Sequence, residues 1–286
     1  MTSTTHAIRK QFGTEALGKA VVYVLLLALS AFMLLPFAWM LTSSLKPLSE
    51  IFDGRGFLPR HWTFVNYRHF FDQPHALRSI WNSFYITTTF TALSVFLCAA
   101  GGYAFAKFKF AGRRVLFAFV VATLAIPPIA ILVPQFVMLR DNFHWVNTPW
   151  PLIVPGAASA YGIFFMRQFM LAIPDEIIDA GRVDGASETR IFFRLILPVA
   201  RPAILSLAII FYVAVWNSFL APVIYLSSTK NYTLPVMLES FQGGIGRTPY
   251  DLIMAGSVVG TLPLVIGFLV FQRRLVSGIM EGTVKG

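Results

Sequence analysis

Asp, Glu, Lys, Arg and His are missing from six long stretches of this sequence, roughly 20–45, 79–106, 115–139, 146–166, 202–229 and 252–271. Proton- and ion-coupled transporters generally need ionisable groups at membrane depth, so the gap argues against that class, less strongly for Na⁺, which backbone carbonyls can bind. An intramembrane enzyme would need a nucleophile–base pair or metal ligands at depth, and these stretches supply no His or carboxylate. No complete Gly-x-x-x-x-Gly-Lys-Ser/Thr phosphate loop occurs, because the partial match from Gly13 to Lys19 is followed by Ala20, so no P-loop ATPase is built in. The single cysteine, Cys98, excludes an internal disulfide and any multi-cysteine metal site. At mid-stretch it reads as a small apolar filler. Charged residues make up 13% of the chain, against about 25% in a soluble domain.

What is present is apolar surface. Hydrophobic residues are 56% of the chain, Phe alone occurs 28 times, and the mean hydropathy is +0.68. A spanning helix needs about 20 mostly apolar residues, so the six stretches predict an all-α polytopic membrane protein with six transmembrane helices. The first stretch is too long for a signal peptide and no small-residue cleavage site follows it. Pro127, Pro128, Pro134, Pro155, Pro222 and Pro263 fall inside the stretches, where proline kinks or locally opens a helix.

The formal charge of +10 does not point to nucleic acid, because the basic residues form short clusters between apolar runs. With the N-terminus in the cytoplasm, fifteen of the 23 Lys and Arg fall on the cytoplasmic side, which favours both termini inside. The organisation is then a cytoplasmic segment 1–19, a transmembrane domain 20–272 and a cytoplasmic tail 273–286. The longest outer loop, about 46–78, carries His61, His69 and His75 at spacings that fit no compact metal site. It reads as a solvated loop.

The charged loop at about 167–201, between the fourth and fifth spans, holds two short helices. Ile173-Pro174-Asp175-Glu176 is a helix start, with acids in the first turn facing the positive end of the dipole. Gly181 and Gly185 bracket a place where the backbone turns or approaches another surface. Asp184 is placed to cap free amides there, and Ser187 to cap a second helix whose Ile191, Phe192, Leu195 and Ile196 share one face. Pro198 and Pro202 return the chain to the membrane. The residues alone leave two readings open: a knob that enters a partner's groove, and a connector lying on lipid.

The loop resembles the EAA-type cytoplasmic loop of permease subunits from ABC importers. Its pattern falls on Asp179, Ala180, Gly181, Asp184, Gly185, Ala186, Phe192 or Phe193, Leu197 and Pro198. Asp replaces the usual first Glu and Gly the third-position Ala. Asn82-Ser83, Gly102-Tyr103-Ala104-Phe105-Ala106-Lys107, Trp216-Asn217-Ser218-Phe219, Thr233-Leu234-Pro235-Val236 and a Gly278-x-x-x-Gly282-x-Val284-Lys285-Gly286 ending are similar to the maltose-type sugar branch, second permease subunit. The resemblance covers roughly residues 20–286.

It implies half of an alternating-access pore in a bacterial or archaeal inner membrane. A second homologous permease, a dimer of ABC ATPases that binds ATP and Mg, and an extracytoplasmic substrate-binding protein complete the machine. This chain holds no cofactor or metal of its own in that picture. The solute is an oligosaccharide, sugar, polyol or glycerol phosphate, the alternative being a peptide or amino-acid importer. The loop from Asp179 to Ala186, with Phe192 and Pro198, couples to the ATPase. Asn82, Trp216 and Asn217 are candidate pore-lining residues, with packing between helices the competing reading for Trp216. Gly282, Val284, Lys285 and Gly286 are expected to touch the ATPase pair, in a tail that its glycines leave with little tendency to form helix.

Overall fold

The computed structural model describes residues 2–53, 56–242 and 248–283, with side chains described between residues 18 and 270 of these segments. Every regular element among the described residues is helical. The first helices are α1 (Thr2–Ser44), α2 (Leu48–Ile51), α3 (Val65–Phe71), α4 (Ala76–Lys107), α5 (Arg113–Ala122) and α6 (Pro128–Asp141). Next come α7 (Trp150–Ile153), α8 (Ala160–Leu171), α9 (Asp175–Val183), α10 (Glu188–Ile191) and α11 (Leu197–Val199). The last are α12 (Arg201–Trp216), α13 (Leu220–Tyr225), α14 (Leu234–Ser240) and α15 (Tyr250–Thr283). A π-helical turn, Phe192–Ile196, joins α10 to α11.

Among the described residues, three helices are long and apolar enough to cross a membrane: Gly18–Ser44 of α1, Ala76–Lys107 and Tyr250–Val270 of α15. Two bent pairs raise the number to five if each is one span: Arg113–Ala125 with Pro128–Asp141, bent by 100°, and Glu188–Val199 with Arg201–Trp216, bent by 78°. Three to five candidate spans among the described residues do not confirm the six expected, and proline, expected to kink or open the helices, explains much of the difference. A residue before proline is pushed out of the helical region. Ile126-Pro127-Pro128 applies this twice, and Ile126 and Pro127 have ψ of 115° and 129°. The stretch 146–166 is likewise no single helix: α7 ends at Ile153, and α8 starts afresh after Ser159, whose hydroxyl accepts the Gly162 N–H at 3.4 Å. The stretch 202–229 breaks after Trp216 and resumes as α13, with Pro222 in the first turn, where a missing N–H forfeits no intrahelical bond.

The C-terminal tail also departs from expectation. α15 continues to Thr283, through Gly278 and Gly282. Extending an existing helix adds a hydrogen bond per residue without a new nucleus, which offsets about 1 kcal/mol for each glycine. Val284, Lys285 and Gly286 lie outside the described residues.

The chain forms two compact units, Met1–Phe70 with Pro249–Val258, and Phe71–Thr248 with Val259–Gly286. In the first, the segment after α1 is ordered rather than a merely solvated loop. Asn66 is buried and donates to the carbonyls of Ser44 and Lys46, both at 2.8 Å. Ser44 Oγ and Tyr67 Oη lie 2.7 Å apart, and the Thr63 N–H donates to the Leu45 carbonyl at 3.0 Å. Lys46 is buried, its Nζ donating to the Gly56 carbonyl at 2.8 Å. His61 Nδ1 contacts Glu50 Oε1 at 2.5 Å, a bond that holds Glu50 below the ordinary carboxylate range. Among the described residues no group of His, Cys, Asp and Glu could hold a metal ion.

In the second unit α8 packs closely along α4. A Cβ on Gly102 would lie 2.7 Å from Met166 Cβ and 2.8 Å from the Arg167 backbone nitrogen. A Cβ on Gly162 would lie 2.5 Å from Cys98 Sγ. Small residues at such an interface let membrane helices approach, and Cys98, fully buried, fills the gap opposite Gly162. The core continues through Tyr103, Met166, Met170, Ile178, Ile191, Phe192, Ile196, Leu207 and Phe211. It thus ties α4, α8 and α12 to the helices of the 173–200 segment.

Candidate functional site: the α9–α11 loop

Pro174 caps α9, and Asp175 and Glu176 occupy its first turn. Lys107, the last residue of α4, donates from Nζ to the Ile173 carbonyl at 2.5 Å and to Asp175 Oδ1 at 2.6 Å. That hydrogen bond and the Lys107 charge hold the Asp175 carboxyl below its ordinary range. The end of a membrane span is therefore pinned directly to the start of the loop.

α9 ends in a Schellman turn. The Ala186 N–H reaches back to the Gly181 carbonyl at 2.9 Å, and the Gly185 N–H to the Arg182 carbonyl at 3.0 Å. Gly185 takes the left-handed position this turn requires, with φ +73°. The two glycines have different tasks. Nothing lies within 4 Å of a Cβ built on Gly185, whereas one on Gly181 would sit 2.9 Å from Leu195 Cδ1 and 3.2 Å from Ile191 Cγ1. Gly185 turns the chain; Gly181 lets α9 and the following segment meet.

The second helix starts at Ser187, whose hydroxyl accepts the Arg190 N–H. Asp184 is the C-cap of α9, and its side chain is exposed. Arg182 bridges the elbow, with Nε donating to Glu188 Oε1 at 2.7 Å and Nη1 to Asp179 Oδ1 at 3.1 Å. The Glu188 bond raises the Arg182 pKa above its ordinary value.

The loop has an inner and an outer face. Ile178, Gly181, Ile191, Phe192 and Ile196 are buried, and the Phe192 ring lies 5.3 Å from that of Tyr103 on α4. Phe192 thus anchors the loop to the bundle. Asp179, Ala180, Asp184, Gly185 and Pro198 are exposed, Ala186 is half-buried, and Val183 at the tip is 88% exposed. Sequence reading missed the Lys107 tie and the Arg182 bridge. The signal for the second was available in Asp179, Arg182 and Glu188, charges of opposite sign three and six residues apart.

Asn82, Trp216 and Asn217 each bond a different part of the fold. Asn82 Nδ2 donates to the carbonyls of Lys230 and Tyr232, both at 3.0 Å, and the neighbouring Ser83 Oγ accepts the Leu234 N–H at 2.8 Å. They clamp the segment before α14. Trp216 is buried, stacked on Tyr212 at 6.0 Å, and donates from Nε1 to the Gly260 carbonyl at 2.9 Å. Its ring is committed to joining α12 and α15. Asn217 is exposed and donates to its own helix, at the Val213 carbonyl, 2.8 Å away. Gly282 lies within α15.

Residues 97–280 match the family described as binding-protein-dependent transport system inner membrane component. The chain belongs to this family. It is an integral membrane protein, and its elbow at 179–186 lies inside the matched region. The arabinooligosaccharides transport system permease AraQ of Bacillus subtilis (strain 168) is 34% identical over 262 residues, 90% of this chain and 92% of that one. The trehalose transport system permease SugB of Mycobacterium tuberculosis (strain CDC 1551 / Oshkosh) is 33% identical over 257 residues, 88% of this chain and 93% of that one. A chain from the crystal structure of a bacterial ABC transporter involved in import of the acidic polysaccharide alginate superposes with a TM-score of 0.81. It covers 91% of this chain and 97% of that one, and at 22% identity it speaks to the fold alone.

Proposed function

We propose that this chain is one permease half of an ATP-driven, binding-protein-dependent importer of a carbohydrate, and that the α9–α11 loop docks on its ATPase. Family membership supports import, and the saccharide permeases among its relatives support the solute class. In this reading a second permease completes the pore, and an ATPase pair binds the ATP and Mg. Both termini are cytoplasmic, and Gly282, Val284, Lys285 and Gly286 approach the ATPase pair.

One observation carries the docking role. The loop is a rigid knob, held from within by Phe192 and Lys107 and across its elbow by Arg182, yet its tip presents an apolar Val183 at 88% exposure. Burying such a side chain on a partner is worth roughly 1.5–3 kcal/mol. A cysteine at Val183, crosslinked in the assembled complex, should join the ATPase subunit. Crosslinks to lipid only, with ATPase activity unaffected by a bulky adduct there, would identify the loop as a passive connector.

A further inference from the structure

The segment that follows α1 carries apolar side chains that the fold leaves uncovered. Phe57, Leu58, Trp62, Phe64 and Val65 are all exposed, Trp62 by 61% and Phe64 by 72%. Five exposed apolar side chains within nine residues mark a surface with a partner. The same segment buries Asn66, Phe70 and the whole of Lys46, so the sequence does not lack residues able to fold inward.

Its position identifies the partner. The Thr63 N–H bonds to the Leu45 carbonyl, Asn66 to the carbonyls of Ser44 and Lys46, and Tyr67 to the Ser44 hydroxyl. Residues 62–64 are therefore fixed beside the end of the candidate span Gly18–Ser44. A helix of 27 residues is about 40 Å long at 1.5 Å per residue. The hydrocarbon core is about 30 Å thick, so the span is long enough for its Ser44 end to reach the headgroup layer. Exposed Trp and Phe, interleaved with Arg60 and His61, form the mixture that settles at that level, apolar ring inward and polar edge outward.

We propose that Phe57, Leu58, Trp62, Phe64 and Val65 form an interfacial anchor that inserts into the headgroup–acyl boundary of the lipid leaflet at the Ser44 end of α1. The occupant is lipid, because the cluster is continuous with the end of a membrane span. Shallow insertion fixes the depth of the span end and of the ordered segment hydrogen-bonded to it.

Nitroxide labels at single cysteines replacing Trp62, Phe64 and Leu58 test this in the full-length chain with its copurifying subunits. The vesicles are phosphatidylethanolamine and phosphatidylglycerol, and retained ATPase activity reports intact folding. Cys98 is buried and stays unlabelled. All three labels should be relaxed several-fold more by oxygen than by a water-soluble nickel chelate, and a label at Asp53 should show the reverse. Equal nickel access at positions 53, 58, 62 and 64 would show a solvated face and overturn the proposal. Exclusion of both relaxants at 62 and 64, or protection that appears only when a binding protein is added, would assign the face to a protein partner and overturn it equally. A disruptive label at one position leaves the other two to decide.

Discussion

Gly185 allows the backbone of the elbow to be separated from the surface it presents. Its φ of +73° costs any side chain with a Cβ about 1–2 kcal/mol, which changes the population of the elbow by a factor of about 5–30. No atom of the chain lies within 4 Å of the added Cβ, so the intramolecular penalty is conformational and does not begin with a clash. Gly185→Ala should therefore weaken coupling measurably while the chain still inserts and assembles. Gly185→Asn, which enters the left-handed region more readily than Ala, should recover much of the loss. Gly185→Trp carries a backbone penalty like that of Ala, and any loss beyond Ala reports on a partner surface facing the elbow. The assay is uptake and solute-stimulated ATP hydrolysis by the reconstituted complex, with thermal unfolding run in parallel. If Ala and Trp are equally impaired, no partner packs there. If Asn is no better than Ala, the turn geometry is not what matters.

Other positions test the packing and electrostatics. Gly102→Val should force α4 and α8 apart, because the nearest obstacles are Met166 Cβ and backbone, not the end of a flexible side chain; a loss of about 1–3 kcal/mol or more is expected in detergent melts. Trp216→Phe should cost about 1 kcal/mol through the lost bond to Gly260 and leave solute preference unchanged; altered preference at unchanged stability would restore a pore-lining role. Asp175 has a lowered pKa, so its tie to Lys107 is fully present above the ordinary carboxylate range and is lost as pH falls through the lower, folded value. Coupling through this contact should be flat from pH 8 to 5.5, and Asp175→Asn should remove the ion pair at every pH while leaving the bond from Lys107 to the Ile173 carbonyl, read as moderately faster proteolysis of the loop.

The parts legible in the sequence were those fixed by near neighbours. Ser187 caps its helix through a residue three positions on, and Gly185 turns the chain through bonds confined to 181–186. The prolines announced bends, but hydropathy does not say whether a proline kinks one span or breaks it, and Ile126-Pro127-Pro128 turns the chain by 100°. Contacts between distant residues were invisible. Lys107 read as a topology charge, yet it bonds Asp175, 68 residues away. Asn82 was a candidate pore residue, and nothing near it in sequence announces that it clamps carbonyls 148 and 150 residues on. Trp216 offered an aromatic face, and only the fold shows that face packed against Tyr212.

The central claim is ATP-driven carbohydrate import, and vesicle uptake tests it most directly. The chain is reconstituted with its partner permease, ATPase pair and binding protein, with ATP sealed on the ATPase side and an uncoupler present. The expected result is accumulation of a saccharide that requires both ATP and the binding protein and ignores the proton gradient. Uptake that collapses with the uncoupler at constant ATP, or a binding protein that delivers only amino acids or peptides, would contradict it.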